Sequence, residues 1–141
     1  MDRVRTGSIA VLAATAIALA APAIAAAQTP SLVGVWSHHV VDLQTGQPIS
    51  VIFDEFDANG QLHMRVVTSI ATIDYYGVYQ VLNAGTVVRA QFNDYEPKQL
   101  CTLVCSPITP QTPMGQPGDS PLRFDGPNVV YFGADMYTRQ P

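Results

Sequence analysis

The sequence predicts an all-β domain, an antiparallel meander of about eight strands closed into a barrel. Apolar and polar residues alternate in short runs from Leu32 onward, which is the period of half-buried strands. Turn residues separate consecutive runs, and no capped segment of helical period follows residue 27. Closure removes the unpaired edges of a meander, so a barrel is favoured, and a β-sandwich, which requires the same alternation, is the alternative.

The first 27 residues have the pattern of a secretory signal peptide. A positively charged start precedes a short apolar core at 9–21, and Ala25-Ala26-Ala27 fits the cleavage rule. The apolar run is shorter than the about 20 residues that a membrane-spanning helix needs. We therefore expect a signal peptide at 1–27 and a single mature domain at 28–141, located in the periplasm or secreted, with no membrane span.

The first half of the mature domain contains the clearest strands. Trp36 is predicted to face away from Val33 and Val35 in the first strand, and Asn59-Gly60 forms a tight hairpin between the second and third strands. In the third strand the apolar face that begins at Leu62 alternates with a polar one. The fourth strand carries several tyrosines, and the Asn83-Ala84-Gly85 turn leads into the fifth. These strands are predicted at 32–41, 49–56, 62–70, 73–82 and 86–92.

The second half has a weaker pattern. A strand at 98–103 leads into 106–120, whose prolines lack amide donors and predict a long loop. Three short strands then close the chain, separated by the turns Asp125-Gly126-Pro127 and Gly133-Ala134. These strands are predicted at 122–124, 129–132 and 136–139.

The charge of the mature domain argues against a nucleic-acid partner. The full chain has 7 basic and 11 acidic residues, and removal of 1–27 takes away Arg3, Arg5 and Asp2. The mature domain then keeps 5 basic and 10 acidic residues, a net charge of −5, and has no Lys/Arg cluster. Such a surface has little to attract a phosphate backbone.

Cys101 and Cys105 are the two cysteines of the chain. Export makes a disulfide the default state, with free thiols as the alternative. On an extended strand their Cα atoms would lie about 13 Å apart, whereas a disulfide needs them within about 7 Å. A bridge therefore requires the chain to curl at 102–104.

Three features together resemble the lipocalin-like, or calycin-type, barrels, and especially their small bacterial members. They are Gly34-Val35-Trp36 at the start of the mature domain, the meander that follows, and Arg139 in the last strand. In that family a Gly-x-Trp opens the first strand, and an Arg of the final strand packs over the Trp at the closed end. The resemblance implies that Gly34, Trp36 and Arg139 form this barrel-closing motif.

Aromatic residues on inward-facing positions suggest a ligand site. Tyrosines can line an apolar pocket and offer hydroxyl groups, although their strand propensity favours packing in the core or on the sheet surface as their role. The predicted ligand-binding residues are Trp36, Tyr75, Tyr79 and Val81. The corresponding function is the binding of a small apolar ligand, or a structural barrel.

Other classes of function have less support. The chain has no nucleophile elbow, phosphate loop or dinucleotide fingerprint, so an enzyme is not favoured. His38, His39 and His63 lack metal-ligand spacing, and the segment from Glu55 to Val66 fails as a calcium loop because its twelfth position is Val. No metal or cofactor is predicted. The alternative function is a protein-binding module, such as a periplasmic protease inhibitor.

Overall fold

The computed structural model describes residues 29–141, so the predicted signal peptide and its cleavage site lie outside the described residues. Within 29–141 no helix is long and apolar enough to cross a membrane. A 3-10 turn at Asn83–Gly85 lies between the fourth and fifth strands. The strands are β1 (Gly34–Val41), β2 (Pro48–Phe56), β3 (Gln61–Thr68), β4 (Thr72–Leu82), β5 (Val87–Glu96), β6 (Gln99–Cys101), β7 (Cys105–Pro107), β8 (Gly118–Phe124), β9 (Val129–Phe132) and β10 (Asp135–Arg139).

Eight of these strands form a closed antiparallel barrel in the order β1-β10-β9-β8-β5-β4-β3-β2. The first and last strands complete the closure, because Trp36 of β1 pairs with Asp54 of β2 on one side and with Arg139 of β10 on the other. The predicted barrel is therefore confirmed, and the sandwich alternative is excluded by the pairing of β1 with β10.

The predicted strand at 98–103 is corrected in both length and place. It ends at Cys101, because the chain turns at 102–104 and returns as β7, and the two strands form a separate hairpin outside the barrel. A disulfide joins Cys101 to Cys105, whose Cα atoms are 3.9 Å apart. The expected bridge and the curl that it requires are thus both present.

The proline-rich loop is shorter than predicted. β7 extends through Pro107 and β8 begins at Gly118, so residues 108–117 remain as the connection. Pro107 of the predicted loop lies in β7, against the expectation, and Pro121, just after that loop, lies inside β8. Pro121 is tolerated because it lies where the pairing of β8 changes: residues 118–121 of β8 pair with β5, and residues 122–124 pair with β9.

A bulge bends the longest strand pair. Tyr76 pairs with Asp94 and Gly77 with Phe92, which leaves Asn93 as the extra residue of β5. At Gly77 the two backbones come so close that a Cβ atom would lie 2.1 Å from the carbonyl oxygen of Gln91. Only glycine fits this position without displacement of the backbone of β5.

We predict that Gly77→Ala lowers the free energy of unfolding by about 1–3 kcal/mol, the range typical of overpacked sites. Gly118→Ala in β8 is the matched control, because no atom lies within 4 Å of its added Cβ. Urea denaturation of the two variants and the parent domain measures the difference. Equal midpoints for Gly77→Ala and the parent would contradict the close approach.

The hydrophobic core fills one end of the barrel. Because neighbouring strands are antiparallel, the first residues of β1 and the last residues of β10 lie at this same end. Trp36 and Val130 are fully buried there, and Phe124 packs against the indole. We call this the closed end, and the opposite end, where β10 begins, the mouth. The buried core residues are Leu32, Trp36, Phe56, Leu62, Val88, Leu122, Val130 and Tyr137.

Candidate ligand site in the barrel interior

The barrel interior contains a cavity of about 220 Å³ between the packed core and the mouth. Its walls are mostly apolar and come from six of the eight barrel strands. Four polar side chains interrupt them. The lining residues are Asp54, Phe56, Leu62, Met64, Val88, Ala90, Phe92, Ser120, Phe132, Asp135 and Tyr137.

Asp54 is the unusual member of this lining. The two-residue period of β2 places it on the same inward face as Phe56, and it is only 8% exposed. Its Oδ1 accepts no hydrogen bond from any described residue. Because burial penalises the charged carboxylate, the pKa of Asp54 is raised from 3.8 to about 7. The cavity therefore contains a carboxyl group with free hydrogen-bonding capacity that changes charge near neutral pH.

Tyr137 of β10 lines the cavity with Asp54. Its ring packs edge-on against Phe132, with centroids 4.9 Å apart, and stacks on the His38 ring at 4.8 Å. Burial, followed by the negative charges of Asp54 and Asp135, raises the pKa of the Tyr137 hydroxyl, so it stays protonated at neutral pH. Tyr137 therefore adds a neutral hydroxyl group to a lining that also contains the Ser120 hydroxyl and two carboxyl groups.

Asp135 marks the mouth, because it is the first residue of β10, at the end of the barrel away from the Trp36-Arg139 pair. The side chain of Asp135 is 67% exposed, so it meets solvent as well as the cavity. His38 lies next to it, with Nε2 4.0 Å from the Asp135 carboxylate and Nδ1 donating to the Met136 carbonyl at 2.9 Å. The mouth thus presents a second carboxylate and one imidazole.

The closed end is sealed by a stacked pair. The Arg139 guanidinium lies 4.2 Å from the centroid of the Trp36 ring and donates hydrogen bonds to the carbonyl oxygens of Ser31 and Val33. At Gly34, whose φ is 133°, a Cβ atom would lie 2.5 Å from Arg139 Nη1. The geometry that the resemblance implied for these three residues is present, and glycine leaves the space that the guanidinium occupies.

The four residues predicted to bind a ligand are not brought together around this cavity. Trp36 lies in the closed end, and Tyr75 packs against Phe92 and Tyr95. Tyr79 donates its hydroxyl to the Asp57 carbonyl, and Val81, near the end of β4, is 41% exposed. That these residues contact a ligand stays a prediction.

Sequence reasoning missed the polar lining, above all Asp54. The available signal was the two-residue period of the second strand, which places Asp54 in phase with Ile52 and Phe56. Val51 and Phe53 make the other face of that strand equally apolar. Alternation alone therefore did not show which face is inward.

A second polar cluster lies on the outer surface, away from the cavity. His63 Nε2 lies 2.6 Å from Asp74, which also accepts a hydrogen bond from Arg65 Nε at 2.8 Å. The His63 ring stacks on Tyr76, whose hydroxyl donates to Glu96. Within 29–141 no three His, Cys, Asp or Glu side chains are grouped to hold a metal ion. This network ties β3, β4 and β5 together.

No protein-family model, curated protein or solved structure matched this chain. The barrel is therefore shown by its own strand order, and the function is argued from the geometry of the interior.

Proposed function

We propose that this domain binds a small, predominantly apolar ligand in the barrel interior. The observation that supports this is the cavity of about 220 Å³, whose walls are apolar except for a few polar groups. It is larger than the about 150 Å³ that suffices for benzene and smaller than the about 300–1,000 Å³ of pockets for drug-sized molecules. A ligand of one ring or a short branched chain fits this size.

The type of barrel and the compartment that we infer for the domain both agree with ligand binding. We assign it to the lipocalin-like barrels on the basis of Gly34, Trp36 and Arg139, whose stacking closes one end and leaves the other for ligand entry. The disulfide between Cys101 and Cys105 is typical of an oxidising compartment, so we place the mature protein in the periplasm or outside the cell.

Titration with benzene, toluene and benzyl alcohol, followed by calorimetry, tests the proposal. We expect saturable binding of one molecule per domain. Ala90→Phe should abolish it by filling the cavity that Ala90 lines, whereas Ala58→Phe, on the exposed turn between β2 and β3, should leave it unchanged. Absence of saturable binding across the series would reject an interior site.

A second candidate is a protein-binding role, such as inhibition of a periplasmic protease, centred on the β6-β7 hairpin. Leu103 is fully exposed and Val104 is 75% exposed at the tip of the loop that the disulfide closes. A covalently closed loop loses little conformational entropy when its apolar tip enters a partner pocket. The N-terminal segment is less suited, because the carbonyls of Ser31 and Val33 are bound by Arg139.

Assays against serine proteases with apolar specificity pockets test this candidate. Inhibition that Leu103→Asp removes, and that Leu43→Asp on another exposed turn retains, would support it. Unchanged protease activity at high micromolar protein would exclude this form of protein binding.

A further inference from the structure

The cavity is lined by acidic groups without basic ones. Asp54 and Asp135 are its carboxylates, and the lining contains no Lys, Arg or His. The Arg139 guanidinium is engaged at the closed end by three backbone carbonyls and the Trp36 ring. His38 contacts Tyr137 and Asp135 from outside the lining. In agreement with this arrangement, no described residue donates a hydrogen bond to Asp54 Oδ1.

We infer that the cavity is selective for a small apolar amine, whose ammonium group binds Asp54 while its hydrocarbon part contacts the apolar walls. This inference rests on the proposed ligand-binding function and adds the charge class of the ligand. It follows from the position of Asp54, which is nine-tenths buried on the cavity wall and has an unpartnered oxygen.

An ammonium group has the positive charge that the lining of this cavity lacks and hydrogen-bond donors for the unpartnered oxygen of Asp54. It supplies three N–H donors and a positive charge, and a hydrogen bond with an ionised donor or acceptor is about twice as strong as one between neutral groups. The Tyr137 hydroxyl offers a further acceptor in the same cavity. A carboxylate ligand, in contrast, would place a like charge beside Asp54 in a poorly hydrated space, which is unfavourable.

Three probes of the same shape and different charge separate these cases: benzylamine, benzyl alcohol and benzoate, titrated by calorimetry at pH 8. We expect benzylamine to bind about tenfold or more tightly than benzyl alcohol, and benzoate to bind most weakly. The preference is measured on the unmodified domain, so it does not depend on a variant that folds.

Asp54→Asn should reduce benzylamine affinity to about that of benzyl alcohol, while binding of benzyl alcohol shows that the variant is folded. Asp135→Asn is the matched control, and it should change the preference less because its carboxylate is largely solvated. Equal affinity for all three probes, or tightest binding of benzoate, would overturn the amine inference and leave the ligand-binding function standing. If none of the three binds, both fail.

Discussion

The Asp54→Asn variant should be more stable than the parent domain above pH 7. This stability advantage should be much smaller near pH 4. The folded state raises the pKa of Asp54 from 3.8 to about 7, so between these values the folded domain holds a proton that the unfolded chain releases. The contribution of Asp54 to stability is therefore fully present below about pH 4, declines as the pH rises, and is lost above about pH 7. This difference corresponds to about 4 kcal/mol.

Urea denaturation of both proteins from pH 4 to pH 9 measures this effect. The comparison with the variant is essential, because Asp74, Asp94 and Asp119 have lowered pKa values and change stability in the opposite direction in both proteins. An unpaired amide adds a cost that does not vary with pH, so the diagnostic quantity is the slope of the difference. Curves that stay parallel across this range would show that Asp54 is not desolvated.

Trp36→Ala should lower the free energy of unfolding by about 3–5 kcal/mol, the range for removal of a buried large aromatic side chain. The indole is fully buried, its Nε1 donates to the Leu32 carbonyl at 2.7 Å, and its face supports the Arg139 guanidinium. Removal of the ring therefore leaves a void and frees a charged group at the closed end. Thermal and urea denaturation measure the loss.

Two further variants separate packing from the stacked charge. Trp36→Phe keeps most of the apolar contact and should cost clearly less than Trp36→Ala. Arg139→Met removes the guanidinium and its hydrogen bonds to backbone carbonyls while it keeps much of the side-chain volume. A Trp36→Ala variant as stable as the parent would show that the closed end is not the structural core of the barrel.

The existence and approximate limits of most barrel strands could be predicted because they depend on local patterns, whereas the direct pairing of β5 with β8 could not. Alternation around Leu62 and the Asn59-Gly60 turn marks the third strand and its hairpin, and each is read over a few residues. The strand at 98–103 was misplaced because it lacks that alternation. Its short length and its partner β7 are set by the Cys101–Cys105 turn.

The candidate site could not be predicted from the sequence. The alternation of residues indicates which face of a strand a side chain is on, but not how far along the barrel axis that side chain is buried. Tyr79 and Val81 have the same phase on β4, yet Tyr79 packs against Phe56 while Val81 is substantially exposed. Asp54 has the phase of Ile52 and Phe56, but both faces of its strand are apolar in sequence. Only the assembled strands show which side is enclosed.

Local patterns were sufficient to predict the all-β class and the meander, because alternation and turn chemistry specify them. The disulfide was predicted from the inferred export of the chain, and the closed-end role of Gly34, Trp36 and Arg139 from the family resemblance. Where space remains inside the barrel, and which side chains face it, follows only from the assembly of the strands. Asp54, Ser120, Asp135 and Tyr137 come from three separate strands and meet only when the barrel closes. The buried carboxyl group acquires its raised pKa and its unpartnered oxygen from that enclosure, which removes water that the extended chain would leave in place.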